Sequence, residues 1–199
     1  LAASAGAIDY FSGVKKNQPG GKEYTRYNNY LIFKQSFDHL VEKKDLYVNY
    51  PEEHWDLYKY SPSFAVSFGV FALMPDLAGI VCWNILNSLI ILLAIIYLPK
   101  INNDAKIIMS MVLIPDLMTN IQNEQSNGLM AGLIILTFGL MERNKYILAA
   151  LCVALSFYIK IYGIVSIALF VFYPGKVKPA LALLAWMVII FFIPLIIVD

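Results

Sequence analysis

From residue 61 onward, the sequence alternates between apolar segments and short polar breaks. The apolar segments are 61–74, 77–98, 105–121, 128–141, 146–158, 161–173 and 180–198. A membrane core of roughly 30 Å needs about 20 apolar residues in a helix that crosses it, and several segments approach this length. Because 59% of the 199 residues are hydrophobic and only 15% are charged, we predict an all-α, polytopic integral membrane protein.

Residues 1–60 differ from the rest, since no stretch among them is apolar enough to cross a bilayer. Between Tyr30 and Leu40, apolar residues recur at helical spacing, which predicts an amphipathic helix at the membrane interface. We therefore predict an extracytoplasmic loop at 1–60 and a transmembrane helical domain at 61–199. The chain begins without Met and ends on an apolar stretch, so we expect an N-terminal portion of a longer chain, incomplete at both ends.

Three polar breaks carry basic residues and predict the topology. They contain Lys100 with Lys106, Arg143 with Lys145, and Lys176 with Lys178. The positive-inside rule places all three on the cytoplasmic side. The chain between them must then enter the membrane and return, which predicts two helical hairpins that turn at 120–127 and near Lys160. Their arms are short for a full crossing, so we expect the two turns to border a polar cavity open to lipid.

Lys160 is the most unusual charge in the sequence. No other charged residue lies between Lys145 and Lys176, and the run around it is apolar. An ammonium group in hydrocarbon is costly unless it meets water or an anion, so Lys160 predicts a functional site.

Composition excludes two other classes of function. The net charge is +1 and the basic residues are scattered among acids, so we predict no nucleic-acid partner. Cys82 and Cys152 both lie in predicted helices, which favours core positions over a disulfide or a metal site. No other cluster has a recognisable metal-ligand spacing, so we predict neither metal nor cofactor. Protein partners are not indicated.

Three short motifs occur in a characteristic order. They are Tyr60-Ser61-Pro62, Glu124-Gln125-Ser126-Asn127, and Lys160 followed by Gly163. They resemble the Tyr-Pro-Pro-Phe, Gly-Gln-x-Asn and Lys-plus-Pro motifs of glycosyltransferase family 87 in the GT-C superfamily, which includes polyprenyl-phosphate-mannose-dependent mannosyltransferases. The resemblance extends over roughly residues 24 to 178.

This resemblance implies a multi-pass enzyme of the bacterial cytoplasmic membrane that acts in the cell envelope. It would transfer a mannose-like hexose, with inversion, from a polyprenyl-phosphate donor to an extracytoplasmic lipid or glycan acceptor, without a metal. The residues that would bind the donor phosphate and sugar are Lys160, Gln125, Asn127, Asn120 and Tyr60. Amide and ammonium donors suit phosphate oxygens because hydrogen bonds to a charged group are the stronger kind.

The catalytic base is harder to place. An inverting transferase needs a carboxylate near the first loop, and the family pattern Asp-x-x-Val-Tyr is matched here to Asn28, whose amide cannot accept a proton. The candidate bases are instead acids of the aromatic loop, although surface acids beside lysines are usually only solvated or weakly paired. These candidates are Asp45, Glu52, Glu53 and Asp56.

Three further residues are candidates for acceptor binding or support. His54 and Trp55 lie in the same loop, and a histidine at such a position is more often structural. Asp116 follows Pro115 inside an apolar segment, where it either partners Lys160 or the acceptor, or is a polar residue at a helix break.

Two other functions are compatible with the sequence. Short hairpins and a buried lysine are also typical of broken-helix transporters, but such carriers have an inverted repeat that is not evident here. Asn28 at the family's acid position would also fit a noncatalytic GT-C-like scaffold.

Overall fold

The computed structural model describes residues 1–16 and 22–198, which are mainly helical. The helices are α1 Ala2–Phe11, α2 Asn28–Val41, α3 Pro62–Ala72, α4 Asp76–Tyr97, α5 Asn103–Gln122, α6 Asn127–Glu142, α7 Tyr146–Ile159, a 3₁₀ helix Ile161–Ile167, α8 Ala168–Val171, α9 Val177–Phe192 and α10 Leu195–Val198. Two short strands, β1 Val14–Lys16 and β2 Glu23–Thr25, form an antiparallel ribbon. The helical fold class is thus confirmed, with this ribbon as an unpredicted addition.

Two helical segments are long and apolar enough to cross a membrane, Asp76–Tyr97 and Val177–Val198. Only 6% of the second is buried inside the protein, against 44% of the first. An apolar surface of this extent needs lipid or another protein to cover it. The other apolar helices are shorter, so the full number of crossings stays a prediction.

Local sequence explains where several helices begin. The Ser61 hydroxyl accepts a hydrogen bond from the Phe64 N–H, and Pro62 occupies the first turn of α3, where its missing N–H has no cost. Asn102 caps α5 in the same way, by accepting from the Ala105 N–H. Asp76 lies in the first turn of α4 and forms an ion pair of 2.5 Å with Lys34, which ties α4 to α2.

An aromatic core joins the first 60 residues to the apolar helices. Phe33 of α2 is 1% exposed, and its ring lies 4.9 to 5.9 Å, centroid to centroid, from four other rings. Those rings belong to Tyr60, Phe64, Phe68 and Trp83. The predicted helix near 30–40 is confirmed as α2, but its apolar face packs on α3 and α4. Each buried ring of this kind contributes about 1.5–3 kcal/mol, so this loop helix is fixed to the helical domain.

Both predicted turns are present. The chain turns at 123–126 between α5 and α6, and again at Lys160, directly after α7 ends at Ile159. The 3₁₀ helix packs back on α7, and a Cβ at Gly163 would lie 2.4 Å from the Ser156 carbonyl carbon. This close approach explains why glycine stands where the family pattern has proline.

The first hairpin differs from the prediction in shape. We expected a hairpin with two short arms, but α5 has 20 residues and packs mainly on α4 and α1. The α6 helix instead packs on α4 and α7. The arms therefore separate, because each finds a larger apolar surface elsewhere than on the other.

Candidate active site

An open cavity of about 380 Å³ lies beside the two turns. Four of the predicted site residues line it, namely Lys160, Gln125, Tyr60 and Asp56. They come from the two turns and from the loop before α3, which are distant in sequence. The structure therefore brings the family motifs together around one space.

Lys160 carries the main charge of this cavity. Its Nζ donates a 2.6 Å hydrogen bond to Asn127 Oδ1, and the Asn127 Nδ2 in turn donates to Gln125 Oε1 at 2.6 Å. The ammonium also lies 5.5 Å from the ring centroid of Tyr60 and 5.9 Å from that of Tyr162. Among the described residues, no carboxylate forms an ion pair with it. An ammonium with two remaining donors and no counter-ion is suited to bind an anion.

The backbone at the second turn directs Lys160 toward the cavity. The residue is extended, with φ −144° and ψ 132°, so the helix stops there. Its N–H still donates to Ser156 O, and its carbonyl accepts from the Gly163 N–H at 2.8 Å. Lys160 is thus held from both sides at the point where the chain reverses.

The first turn is fixed by hydrogen bonds to its backbone. Trp83 Nε1 donates to Glu124 O at 2.9 Å, and Asn29 Nδ2 donates to Asn123 O at 2.7 Å. The Asn120 side-chain oxygen accepts a hydrogen bond from the Gly128 N–H, and the Asn120 backbone carbonyl accepts one from the Gln125 N–H. Asn120 is 3% exposed and does not line the Lys160 cavity, so in this structure it stabilises the first turn.

A neighbouring cavity of about 320 Å³ lies between α5 and α6. Asp116, Asn120 and Asn127 are among its lining residues. Asp116 forms no ion pair with Lys160, so the structure does not support the predicted pairing of these two residues. Asn127 borders this second cavity while it hydrogen-bonds to Lys160 of the first.

Three of the four candidate bases have structural partners away from the Lys160 cavity. Asp45 accepts from the Tyr47 N–H at 2.8 Å, which closes a turn. Glu52 pairs with Lys22 at 2.5 Å, and Glu53 pairs with the buried His39 at 2.8 Å.

Asp56 is the candidate base that lines the cavity. Its carboxylate accepts from Lys59 Nζ at 2.6 Å and from the Leu57 N–H at 2.8 Å. Burial raises the pKa of Asp56, but these two donors outweigh burial and hold the pKa below its ordinary value. Asp56 is therefore a carboxylate at neutral pH and can accept a proton.

Asn28 at the start of α2 and the remaining predicted residues of this loop do not line the cavity. Asn28 Oδ1 accepts from the Trp55 N–H at 2.8 Å, so it holds the loop against α2. His54 is 3% exposed, and burial lowers its pKa, which keeps it neutral. Trp55 meets the Tyr24 ring edge-on at 5.7 Å.

Glu23 is an acid that we did not consider. The family pattern places a tyrosine four residues after the acid, and Glu23 has Tyr27 at that position, whereas Asn28 has Ile32. Glu23 lies on β2, and the next residue, Tyr24, donates from its hydroxyl to Pro51 O at 3.1 Å. The strand is thus attached to the loop that carries Asp56. The spacing to Tyr27 is the sequence signal that points to Glu23, although Arg26 stands where the family pattern has valine.

Glu124 is a second acid outside our prediction. Its side chain is fully buried, although it lies in a polar turn. Burial and, to a smaller extent, the neighbouring Asp9 carboxylate together raise its pKa to about 9. Its φ of +45° lies in the left-handed region, which explains why the family pattern has glycine at this position.

Comparison with known proteins agrees with the geometry. Residues 58–199 match glycosyltransferase family 87, and this range covers more than half of the chain. The chain therefore belongs to glycosyltransferase family 87, a GT-C type family, and is a membrane glycosyltransferase. No curated protein and no solved structure matches the sequence. The matched range contains Lys160 and Gln125 but begins after Asp56.

Proposed function

We propose that this protein transfers a mannose-like hexose from a polyprenyl-phosphate donor to an extracytoplasmic lipid or glycan acceptor, with inversion. The observation that carries the proposal is the ammonium of Lys160, which lies in a cavity with Gln125 and Asp56 and has no carboxylate partner among the described residues. A polyprenyl phosphate has its anion at the headgroup and its tail in lipid. It therefore requires a cation in a cavity that opens beside apolar helices.

The same cation assists the leaving group. As the bond between the sugar C1 and the phosphate oxygen breaks, negative charge grows on the phosphate. Lys160 Nζ stabilises that charge, and the amides of Gln125 and Asn127 donate to the remaining phosphate or sugar oxygens. Tyr60 places a ring beside the ammonium and offers an aromatic face to the sugar.

Asp56 is the proposed base. It takes the proton of the acceptor hydroxyl as that oxygen bonds to C1 from the face opposite the phosphate, and polyprenyl phosphate leaves. Glu23 is the alternative base, because it satisfies the family spacing and lies on the strand attached to the same loop. This reaction needs no metal ion, and activity without a metal remains a prediction.

Binding of the donor tests the role of Lys160. Lys160→Met should weaken binding of a polyprenyl-phosphate sugar about 10- to 150-fold, since hydrogen bonds to charged groups contribute ~1.5–3 kcal/mol. Lys44→Met is the matched control, because Lys44 pairs with Glu42 on the exposed surface. Unchanged donor binding in Lys160→Met would remove the basis of the proposed function.

Transfer rates test the base. Replacement of the base by its amide should lower kcat by about 10²-fold or more while donor binding is preserved. We expect this of Asp56→Asn, with Asp45→Asn as the control at a turn outside the cavity. If Glu23→Gln has the large effect and Asp56→Asn does not, the base is Glu23. Full activity in both would show that neither acid is the base.

A further inference from the structure

The Glu124 side chain is buried in a way that an ionised carboxylate does not tolerate. Its exposed fraction is 0%, and neither Oε1 nor Oε2 receives a hydrogen bond from an N–H or hydroxyl donor among the described residues. A charged carboxylate without donors in such a place is strongly disfavoured. The group must therefore be neutral, or it must have a partner that can accept its proton.

Asp9 on α1 is that partner. The two carboxyl groups are close enough to interact, although they are 115 positions apart in sequence, because α1 packs on α4 and α5 beside the first turn. Two neighbouring carboxylates repel each other when both are charged, so one proton is shared between the two groups. Glu124 is the more buried group, and Arg26 offsets the charge of Asp9. The proton therefore belongs to Glu124, and Asp9 is the carboxylate that accepts it.

This contact fixes the first turn to α1. The turn is anchored through its backbone by Trp83 and Asn29, but the Glu124 side chain gives it a third anchor, on another helix. The next residue, Gln125, lines the cavity of Lys160, and Asn127 accepts the Lys160 hydrogen bond.

We propose that Glu124 is a positioning residue that works as a neutral carboxylic acid. By donating its proton to the Asp9 carboxylate, it ties α1 to the first turn and holds Gln125 and Asn127 toward Lys160. The titratable or charged groups that face the pair are Arg26, beside Asp9, and the two acids themselves. The importance of this contact for binding rests on the proposed donor site, whereas the neutral state of Glu124 does not.

Glu124→Gln tests the proposal because an amide can donate to Asp9 but cannot ionise. The probe is farnesyl phosphate, whose binding to the full chain in detergent micelles is measured as a function of pH. We expect Glu124→Gln to bind like the wild type at about pH 7, and the wild type to lose about 10-fold more affinity than the variant on going to about pH 10. Any titration of Lys160 contributes alike in both proteins, so their difference isolates Glu124. Glu124→Ala should weaken binding at both pH values.

Infrared difference spectra supply a readout that does not depend on ligand. The wild type at neutral pH should show a protonated-carboxyl band that is absent from Glu124→Gln and retained in Glu42→Gln, a control at an exposed acid paired with Lys44. Absence of that band would overturn the neutral acid. Identical pH profiles for the wild type and Glu124→Gln would overturn the positioning role. If farnesyl phosphate binds equally well to Lys160→Met, the proposed function fails instead, and the infrared band still decides the state of Glu124.

Discussion

The stability of the protein should depend on pH through Glu124. The pKa of this group is raised from 4.5 to about 9 in the folded protein, because burial and the Asp9 carboxylate disfavour its charge. Between these two values the unfolded chain is ionised and the folded chain is protonated, so folding takes up one proton. The corresponding stability is fully present below pH 4.5 and is lost as the pH rises toward 9.

The magnitude follows from linkage. One proton taken up on folding lowers the free energy of unfolding by about 1.36 kcal/mol for each unit of pH. Between about pH 6 and pH 8, Glu124 alone therefore removes about 2.7 kcal/mol. For a chain of this size, that corresponds to roughly 5 to 10 °C in Tm.

The assay compares thermal unfolding of the wild type and Glu124→Gln in detergent across this pH range. Groups that do not contact Glu124 titrate alike in both proteins, so the difference between the two curves reports the Asp9–Glu124 pair. We expect the Tm of Glu124→Gln to fall less steeply with rising pH than that of the wild type, so that the difference between the two Tm values widens steadily. Glu42→Gln, at an exposed acid, should run parallel to the wild type. Parallel curves for the wild type and Glu124→Gln would show that Glu124 is ionised in the folded protein and would refute the reasoning.

Three other predictions concern the fold, the topology and the chemistry. Gly163→Ala should lower Tm more than Gly139→Ala, since a Cβ at Gly163 would lie 2.4 Å from the backbone of Ser156 whereas the nearest described atom to a Cβ at Gly139 is a Tyr97 ring carbon at 3.2 Å; equal effects would contradict the close approach. In a chain without its native cysteines, Tyr47→Cys should react with a membrane-impermeant maleimide in intact cells and Lys178→Cys only after the cells are opened; the reverse labelling would invert the topology. Transfer measured in EDTA should keep its full rate, and loss of activity restored by Mg²⁺ or Mn²⁺ would contradict the metal-free mechanism.

The turns and their motif residues could be predicted because their signals are local. A lone lysine in an apolar run and a polar stretch between apolar segments both identify places where the chain must leave a helix. The close arrangement of Lys160, Asn127 and Gln125 then followed from two hairpins that point the same way.

The base could not be chosen from the sequence, since the four acids of the loop have the same local chemistry. Glu52 and Glu53 are distinguished by partners far away in sequence, Lys22 and His39, and Asp56 is distinguished by the distant segments that line the cavity beside it. The Asp9–Glu124 contact was unpredictable for the same reason, because nothing local shows that α1 covers the first turn. The open form of the first hairpin likewise depends on which apolar surface α5 meets.

The hydrogen bond between Lys160 and Asn127 has a consequence for turnover. A donor phosphate that binds Lys160 must compete with the Asn127 amide oxygen, which is a neutral substitute for it. In the proposed reaction, the same oxygen can accept a hydrogen bond from the ammonium again when polyprenyl phosphate departs, so the ammonium of the empty site keeps a hydrogen-bond partner. If that reaction is correct, Asn127 competes with the spent carrier for Lys160, which limits how tightly the carrier is retained and leaves the site ready for the next donor.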